Sequence, residues 1–240
     1  MLLRLPRSVS EAQECLVEGA VPVGGATLVW ATWLRDGFPE QALSLHDLPE
    51  ANVVGREELG AAVVLHQVGD PAPEVLRRAA ASVGTGAVRR AATVGGNLVG
   101  STLRCLLPPA LVLDARCTVL GPHGRYETDL SEVPAKRPLL LGLRWREPLV
   151  SGYRKLSGDA GGAPPLVVAA AVHAEDGGQH RLRVAARDGD EVLSGGTECV
   201  DGTEDVLGEL WRTDVGALGA AARDVVREEV TGLLARLAGR

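Results

Sequence analysis

Two short glycine-centred motifs carry the chemistry open to this sequence: Val23-Gly24-Gly25-Ala26-Thr27-Leu28 and Thr93-Val94-Gly95-Gly96-Asn97. In each, Gly-Gly follows an apolar, strand-like residue, precedes a small or polar one and leads into an apolar run. Consecutive glycine amides can turn several N–H groups toward one point, which is how a backbone nest holds phosphate oxygens without positive side chains. Two such loops brought together would hold the two phosphates of a dinucleotide. Neither is a G-x-G-x-x-G fingerprint or a G-x-x-x-x-G-K-S/T P-loop, so a Rossmann or NTPase site is not supported. On the residues alone, two plain turns and a pyrophosphate site stand level. Three further Gly-Gly pairs read as a hairpin at 177–178 and as loops at 161–162 and 195–196.

Other chemistries find little footing. No G-x-S-x-G elbow frames a serine. The five histidines are isolated, with no H-x-x-x-H pair, and the four cysteines form no C-x-x-C, so neither a metal site nor an iron–sulfur cluster is expected within this chain. Asp and Glu number 31 against 25 Lys and Arg, a net charge of −6, which leaves no general field for nucleic acid or anionic lipid. Aromatics make up 3% of residues, too few for a base-stacking platform. Arg89-Arg90, just ahead of the second glycine loop, either lends positive charge to a pyrophosphate or forms a surface pair at a helix end.

The elements that must position the loops follow from pattern. The 240 residues, 45% apolar and 23% charged, suit a globular chain of one to two domains. A helix capped at Ser8 or Ser10 precedes a short strand and the first loop, and Val29-Trp30 resume an apolar run that can begin a helix. Residues 41–54 read as strand, turn and second strand, because Pro49 breaks any helix; 59–65 read as a buried strand and 74–81 as a helix. The run from Pro108 alternates like a strand and closes in a hairpin through Gly121-Pro122-His123-Gly124. Residues 133–138 offer a joint between domains, with a boundary near 150. Beyond it, 166–173 and 179–185 form a second hairpin, and apolar steps of three or four from Val215 to Leu237 make a C-terminal helix capped at Thr213 or Asp214.

The succession SVSEAQECL, VPVGGATLV, LSLHDLPEANVV, LGAAVVL, AAASVGTGAVRRAATVGGNLVG and PPALVLDARCTVLGP resembles the FAD-binding medium subunit of the molybdenum hydroxylases, the group of carbon monoxide dehydrogenase and xanthine dehydrogenase. The resemblance covers residues 2–130 well and 150–240 weakly. It implies an α+β, PCMH-type fold: two α/β subdomains enclosing FAD, about 1–53 and 54–150, and a C-terminal domain of antiparallel sheet and helices over 151–240. By position it implies that Val23, Gly24, Gly25, Ala26, Thr27, Leu28, Thr93, Val94, Gly95, Gly96, Asn97, Thr102 and Lys155 bind FAD. Thr27 would offer hydroxyl and amide to phosphate, and Asn97 would fix the second loop. Trp30 and Trp33 would pack on the core or a partner rather than stack on the flavin.

The resemblance further implies an electron-transfer subunit working with a molybdopterin-binding large subunit and a 2Fe-2S small subunit, with no residue here breaking a bond in an organic substrate. Departures are specific. The family's Ser-Pro-x-x-Asp aligns with Thr102-Leu103-Arg104-Cys105-Leu106, so Leu106 replaces a carboxylate; Val64 replaces a usual threonine; and a glycine-rich SGDAGGAPP follows Tyr153-Arg154-Lys155. Two alternatives answer these departures: a FAD-free structural subunit, or a stand-alone flavin-dependent oxidoreductase. A cytoplasmic location is expected, since the N-terminus lacks a signal-peptide pattern and no run of about 18 apolar residues could span a bilayer.

Overall fold

The computed structural model describes residues 1–100, 104–156, 164–199 and 202–239. In chain order the elements are β1 (Leu2–Arg4), α1 (Val9–Val17), β2 (Val21–Pro22), α2 (Val29–Asp36), β3 (Gln41–Leu43), β4 (Glu58–Gly60), α3 (Glu74–Ala81), α4 (Gly86–Ala91) and α5 (Leu107–Val112). There follow β5 (Arg116–Gly121), β6 (Gly124–Asp129), α6 (Val133–Lys136), β7 (Leu139–Arg144), β8 (Val150–Lys155), β9 (Val167–Ala174), β10 (His180–Asp188), β11 (Glu191–Glu198), α7 (Thr203–Leu210) and α8 (Ala220–Ala238). The architecture is α+β, in two compact units. The first comprises Met1–Ala72, Val83–Leu106 and Ala115–Trp145; the second comprises Pro73–Ser82, Leu107–Asp114 and Arg146–Arg240.

In the first unit, Ser8 caps α1: its Oγ accepts from the Glu11 N–H (3.2 Å), and the Glu11 carboxylate accepts in turn from the Arg7 N–H (2.8 Å). The buried side of α1, Ala12 and Cys15, faces the sheet, with Cys15 packed on fully buried Leu43. Burying such a leucine contributes about 1.5–3 kcal/mol. Leu43 lies on β3, the central strand of a parallel sheet ordered β1-β3-β2. A second, antiparallel sheet runs β4-β7-β5-β6, with the expected hairpin joining β5 to β6 at Gly121↔Gly124. Residues 133–138 lie inside this unit: α6 ends at Arg137 in a left-handed conformation (φ 46°), and β7 then pairs with both β4 and β5.

Three local expectations need correcting. After β3 there is no second strand; Asn52 Nδ2 donates to the carbonyls of Leu45 (3.3 Å), His46 (2.9 Å) and Leu48 (2.8 Å), which holds a tight turn and a 3₁₀ segment, Pro49–Ala51, in its place. The strand expected over 59–65 stops at Gly60, and the chain winds into a 3₁₀ turn at Leu65–Gln67. The start of the run from Pro108 is helical: α5 carries Pro108 and Pro109 in its first turn, where a missing N–H leaves no bond unmade.

The second unit is an antiparallel sheet ordered β11-β10-β9-β8. Gly177 and Gly178, both at φ 81°, make the expected turn between β9 and β10. Val168, Ala170 and Val172 of β9 share a core with Val206 and Leu207 of α7 and Val226, Val230 and Leu233 of α8. The intervening β9 residues point the other way, where His173 Nε2 lies 2.8 Å from the Val112 carbonyl of α5. The Val75 N–H of α3 donates to Ser151 Oγ (3.2 Å) on β8. Gly195 and Gly196 are strand residues, not a loop, paired with Val184 and Arg183; a Cβ on Gly195 would overlap the Thr213 hydroxyl. The C-terminal helix begins later than its apolar steps imply, because a 3₁₀ turn at Asp214–Ala217 precedes Gly219, the residue capping α8. Gly161 and Gly162 fall outside the described residues. Among the described residues, no helix is long and apolar enough to cross a membrane.

Candidate functional site

In the first unit the two glycine loops meet at one cavity of about 380 Å³, within the range of small-molecule sites. Residues 23–28 line it, as do Thr93, Gly95, Gly96 and Asn97. The contact between the loops is close. A Cβ on Gly24 would overlap the Thr93 hydroxyl, and a Cβ on Gly25 would land on the Ala91 carbonyl. Neither glycine adopts a positive φ; the left-handed residue of the first loop is Ala26, at φ 56°. Both glycines are thus explained by close approach rather than by the turn freedom that the sequence pattern implies.

The loops differ in what their amides do. In the second, the N–H groups of Val94, Gly95 and Asn97 donate to the carbonyls of Val63 (2.9 Å), Ala61 (2.8 Å) and Thr93 (2.9 Å), and that of Gly96 donates to Thr93 Oγ1 (3.1 Å). In the first, among the described residues, the N–H groups of Gly24, Gly25, Ala26, Thr27 and Leu28 donate to nothing. They run into the start of α2, whose N-cap residue, Leu28, supplies no side-chain bond. Five open amides leading into the positive end of a helix dipole make a cradle chemically suited to an anion. Thr27 is exposed beside them. The cradle therefore fits a diphosphate, with the second loop acting as a wall braced from behind.

Asn97 does that bracing: it is 6% exposed, and its Oδ1 accepts from the Leu106 N–H (2.9 Å). Leu106 itself is fully buried, so the position where the resemblance expects a carboxylate is core. Val94 is also fully buried and is absent from the cavity wall, whereas Val64 lines it. Thr102 lies outside the described residues. Lys155 belongs to the second unit, where its Nζ donates to the Ser82 carbonyl (2.9 Å) and the Ser82 hydroxyl meets the Tyr153 hydroxyl at 2.9 Å.

Among the described residues, no arginine or lysine lines the cavity. Arg89 donates to the carbonyls of Val83 (3.0 Å) and Gly84 (2.9 Å), and neither it nor Arg90 is among the residues lining the cavity. Of the two packings expected of the α2 tryptophans, core or partner, the core is not the one found: the helix buries no residue, Trp30 is 50% exposed, and Phe38 packs edge-on against Trp30 with centroids 5.2 Å apart. Sequence reasoning missed Ser44 and His46, which line the cavity from the end of β3. Only the sheet order puts them there, since β3 runs parallel beside β2. Among the described residues, no group of His, Cys, Asp and Glu could hold a metal ion.

Residues 3–139 match the family model described as the FAD binding domain in molybdopterin dehydrogenase. No curated protein matches the chain. Solved structures share the fold. A carbon monoxide dehydrogenase of Hydrogenophaga pseudoflava that lacks the Mo-pyranopterin moiety gives a TM-score of 0.73 at 19% identity, covering 98% of each chain. The reconstituted CO dehydrogenase of Oligotropha carboxidovorans gives 0.72 at 18%, covering 100% of this chain and 98% of that one. The quinoline 2-oxidoreductase of Pseudomonas putida 86 gives 0.72 at 15%, covering 100% and 97%.

Proposed function

The chain belongs to the family of FAD binding domains of molybdopterin dehydrogenases, and from that premise we propose that it is the FAD-carrying subunit of a molybdenum-hydroxylase-type oxidoreductase, passing electrons from an iron–sulfur partner to an external acceptor. The observation that carries the reading is the run of five open amides from Gly24 to Leu28 at the start of α2. When bound, FAD supplies a carrier that takes up an electron pair and releases it singly.

The chain's own residues bind and orient. The Gly24–Leu28 amides hold the diphosphate, and the Thr27 hydroxyl adds a side-chain donor. Gly95 and Gly96 present a wall without side chains, and Asn97 keeps that wall in place through Leu106. A molybdopterin-binding large subunit and a 2Fe-2S small subunit are the proposed partners, and their chemistry leaves none of the bond-breaking to this chain. The solved CO dehydrogenase and quinoline 2-oxidoreductase that share the fold are in keeping with an oxidoreductase assembly of this kind. Cytoplasmic residence belongs to the same proposal, supported by four cysteines that are all free.

The test is the absorbance spectrum of the purified chain after reconstitution with FAD, followed by co-purification with the two partner chains. Flavin bands at about one FAD per chain are expected; a colourless protein after reconstitution sinks the reading. One observation favours a second reading, a structural subunit that has lost FAD: Leu106 is a fully buried apolar residue where the resemblance expects a carboxylate. A colourless chain recovered in complex with both partners would select that reading.

A further inference from the structure

Among the described residues, His46 is the one titratable residue lining the cavity. Sheet order brings it there. β2 and β3 run parallel with Val21 against Ala42 and Pro22 against Leu43, and the Val23 N–H still donates to the Leu43 carbonyl (2.8 Å). The chain segments beginning at Gly24 and Ser44 therefore leave the sheet side by side, with neighbouring strands about 4.8 Å apart. They leave from the carboxyl edge of parallel strands, where open α/β sheets hold their ligands.

The backbone around His46 is fixed: its N–H donates to Ser44 Oγ (3.4 Å), and its carbonyl accepts from Asn52 Nδ2 (2.9 Å). The imidazole is largely exposed. Its side chain is 76% exposed, and the charged group facing it is the Asp47 carboxylate, 4.0 Å from Nε2. A diphosphate diester keeps its negative charge throughout the neutral range, yet the described residues of this cavity include no arginine or lysine. Open amides and a helix dipole supply the fixed part of the attraction. A protonated imidazole is the remaining source of full positive charge.

We propose that His46 is the charge-bearing contact of the cavity: its imidazolium pairs with a phosphate oxygen of the diphosphate held by the Gly24–Leu28 amides, so that affinity rises as the pH falls. Binding is then linked to proton uptake, because a ligand that prefers the protonated ring must also favour its protonation. The inference rests on the diphosphate reading of the cavity.

Isothermal titration of the full chain with FAD and with ADP-ribose, a diphosphate diester without flavin, tests both. Between about pH 8 and about pH 5.5, the wild type is expected to bind about three- to fivefold tighter, the scale of an exposed charged pair, with proton uptake read from the buffer dependence of the heat. His46→Gln is expected to bind at the weaker level at both pH values, and His46→Lys at the tighter level at both. The ring is exposed, so both variants are expected to fold as the wild type does, and a thermal melt checks that they match it. An unchanged pH slope in His46→Gln overturns the proposal. FAD bound without a slope in the wild type removes His46 and keeps the flavin assignment. ADP-ribose bound with a slope, but FAD not bound, keeps His46 and removes the flavin. Binding of neither ligand removes both.

Discussion

The hydroxyl of Thr93 fills the space in which Gly24 lacks a side chain: a Cβ on Gly24 would overlap Thr93 Oγ1 while remaining 3.5 Å from Thr93 Cβ. The same oxygen accepts from the Gly96 N–H (3.1 Å). One hydroxyl thus joins the two loops and orders the second.

This contact predicts a compensating pair. Gly24→Ala pushes the hydroxyl off the Gly96 N–H, and Thr93→Ala removes it; each leaves a part-buried donor unmet at about 1–3 kcal/mol. The double variant has room for the new methyl group, and the unmet donor is counted once. Its loss is therefore expected to fall short of the sum of the single losses by about 0.5–3 kcal/mol, the range for residues in contact. Urea denaturation of the four proteins measures this, and strict additivity would show that the loops do not communicate through Thr93.

Ligand binding at the first loop calls for a different substitution. At Gly25 a side chain would strike the Ala91 carbonyl, which is backbone and cannot swing away, so variants there report folding first. Thr27 is exposed and directly precedes the N-cap residue of α2. In Thr27→Glu the carboxylate meets the positive helix end, which stabilises by about 0.3–1 kcal/mol, but it occupies the place of a phosphate. The melting temperature is expected to hold or rise while the FAD dissociation constant grows more than about tenfold, read by flavin fluorescence. Wild-type affinity in this variant would detach the cofactor from the Gly24–Leu28 amides.

What could be read from the sequence was local. The helix at 74–81 and the hairpins at Gly121–Gly124 and Gly177-Gly178 carry their punctuation within a few residues, and each forms where expected. The run from Pro108 looks strand-like yet starts as a helix, because a short apolar stretch has no period long enough to separate helix from strand, and its prolines sit where a helix tolerates them. The two Gly-Gly loops are alike as strings. Their difference, open amides in one and engaged amides in the other, depends on Ala61 and Val63 coming alongside residues 94 and 95. Ser44 and His46 were invisible as cavity residues for a similar reason, since their place follows from the parallel pairing of β2 with β3.

The cysteines should be slow to react in the folded chain. Cys15, Cys105 and Cys117 are buried, and burial, with the nearby Asp129 carboxylate, pushes the Cys117 thiol up to about 12. Half-buried Cys199 is raised as well, again by burial. Because the thiolate is the reacting form, a thiol reagent at about pH 8 is expected to find no fast-reacting cysteine in native protein and four in denaturant. A fast stoichiometric reaction with the native chain would contradict this placement.

Buried His173 and half-buried Glu229, both of the second unit, pull the pH dependence of stability in opposite directions. Burial pushes His173 below the usual histidine range, against the opposing pull of the Val112 carbonyl, with Arg183, Asp114 and Glu175 as its charged neighbours. The unfolded chain takes up this proton first, near about pH 6.5. Stability is therefore complete above that pH and lost as the pH falls through the lower folded value. Glu229 is the reverse case: burial raises its carboxyl despite Arg236, Arg78 and Arg154, with Glu74 adding to the rise. Its contribution is complete below the usual carboxylate range and lost as the pH rises through the raised folded value. Urea midpoints at about pH 5.5 and pH 8 separate the two. His173→Gln is expected to lose less stability than the wild type on acidification, and Glu229→Gln to gain a higher midpoint at pH 8. A lower midpoint for Glu229→Gln at pH 8 would mean that attraction to the three arginines outweighs burial at α8.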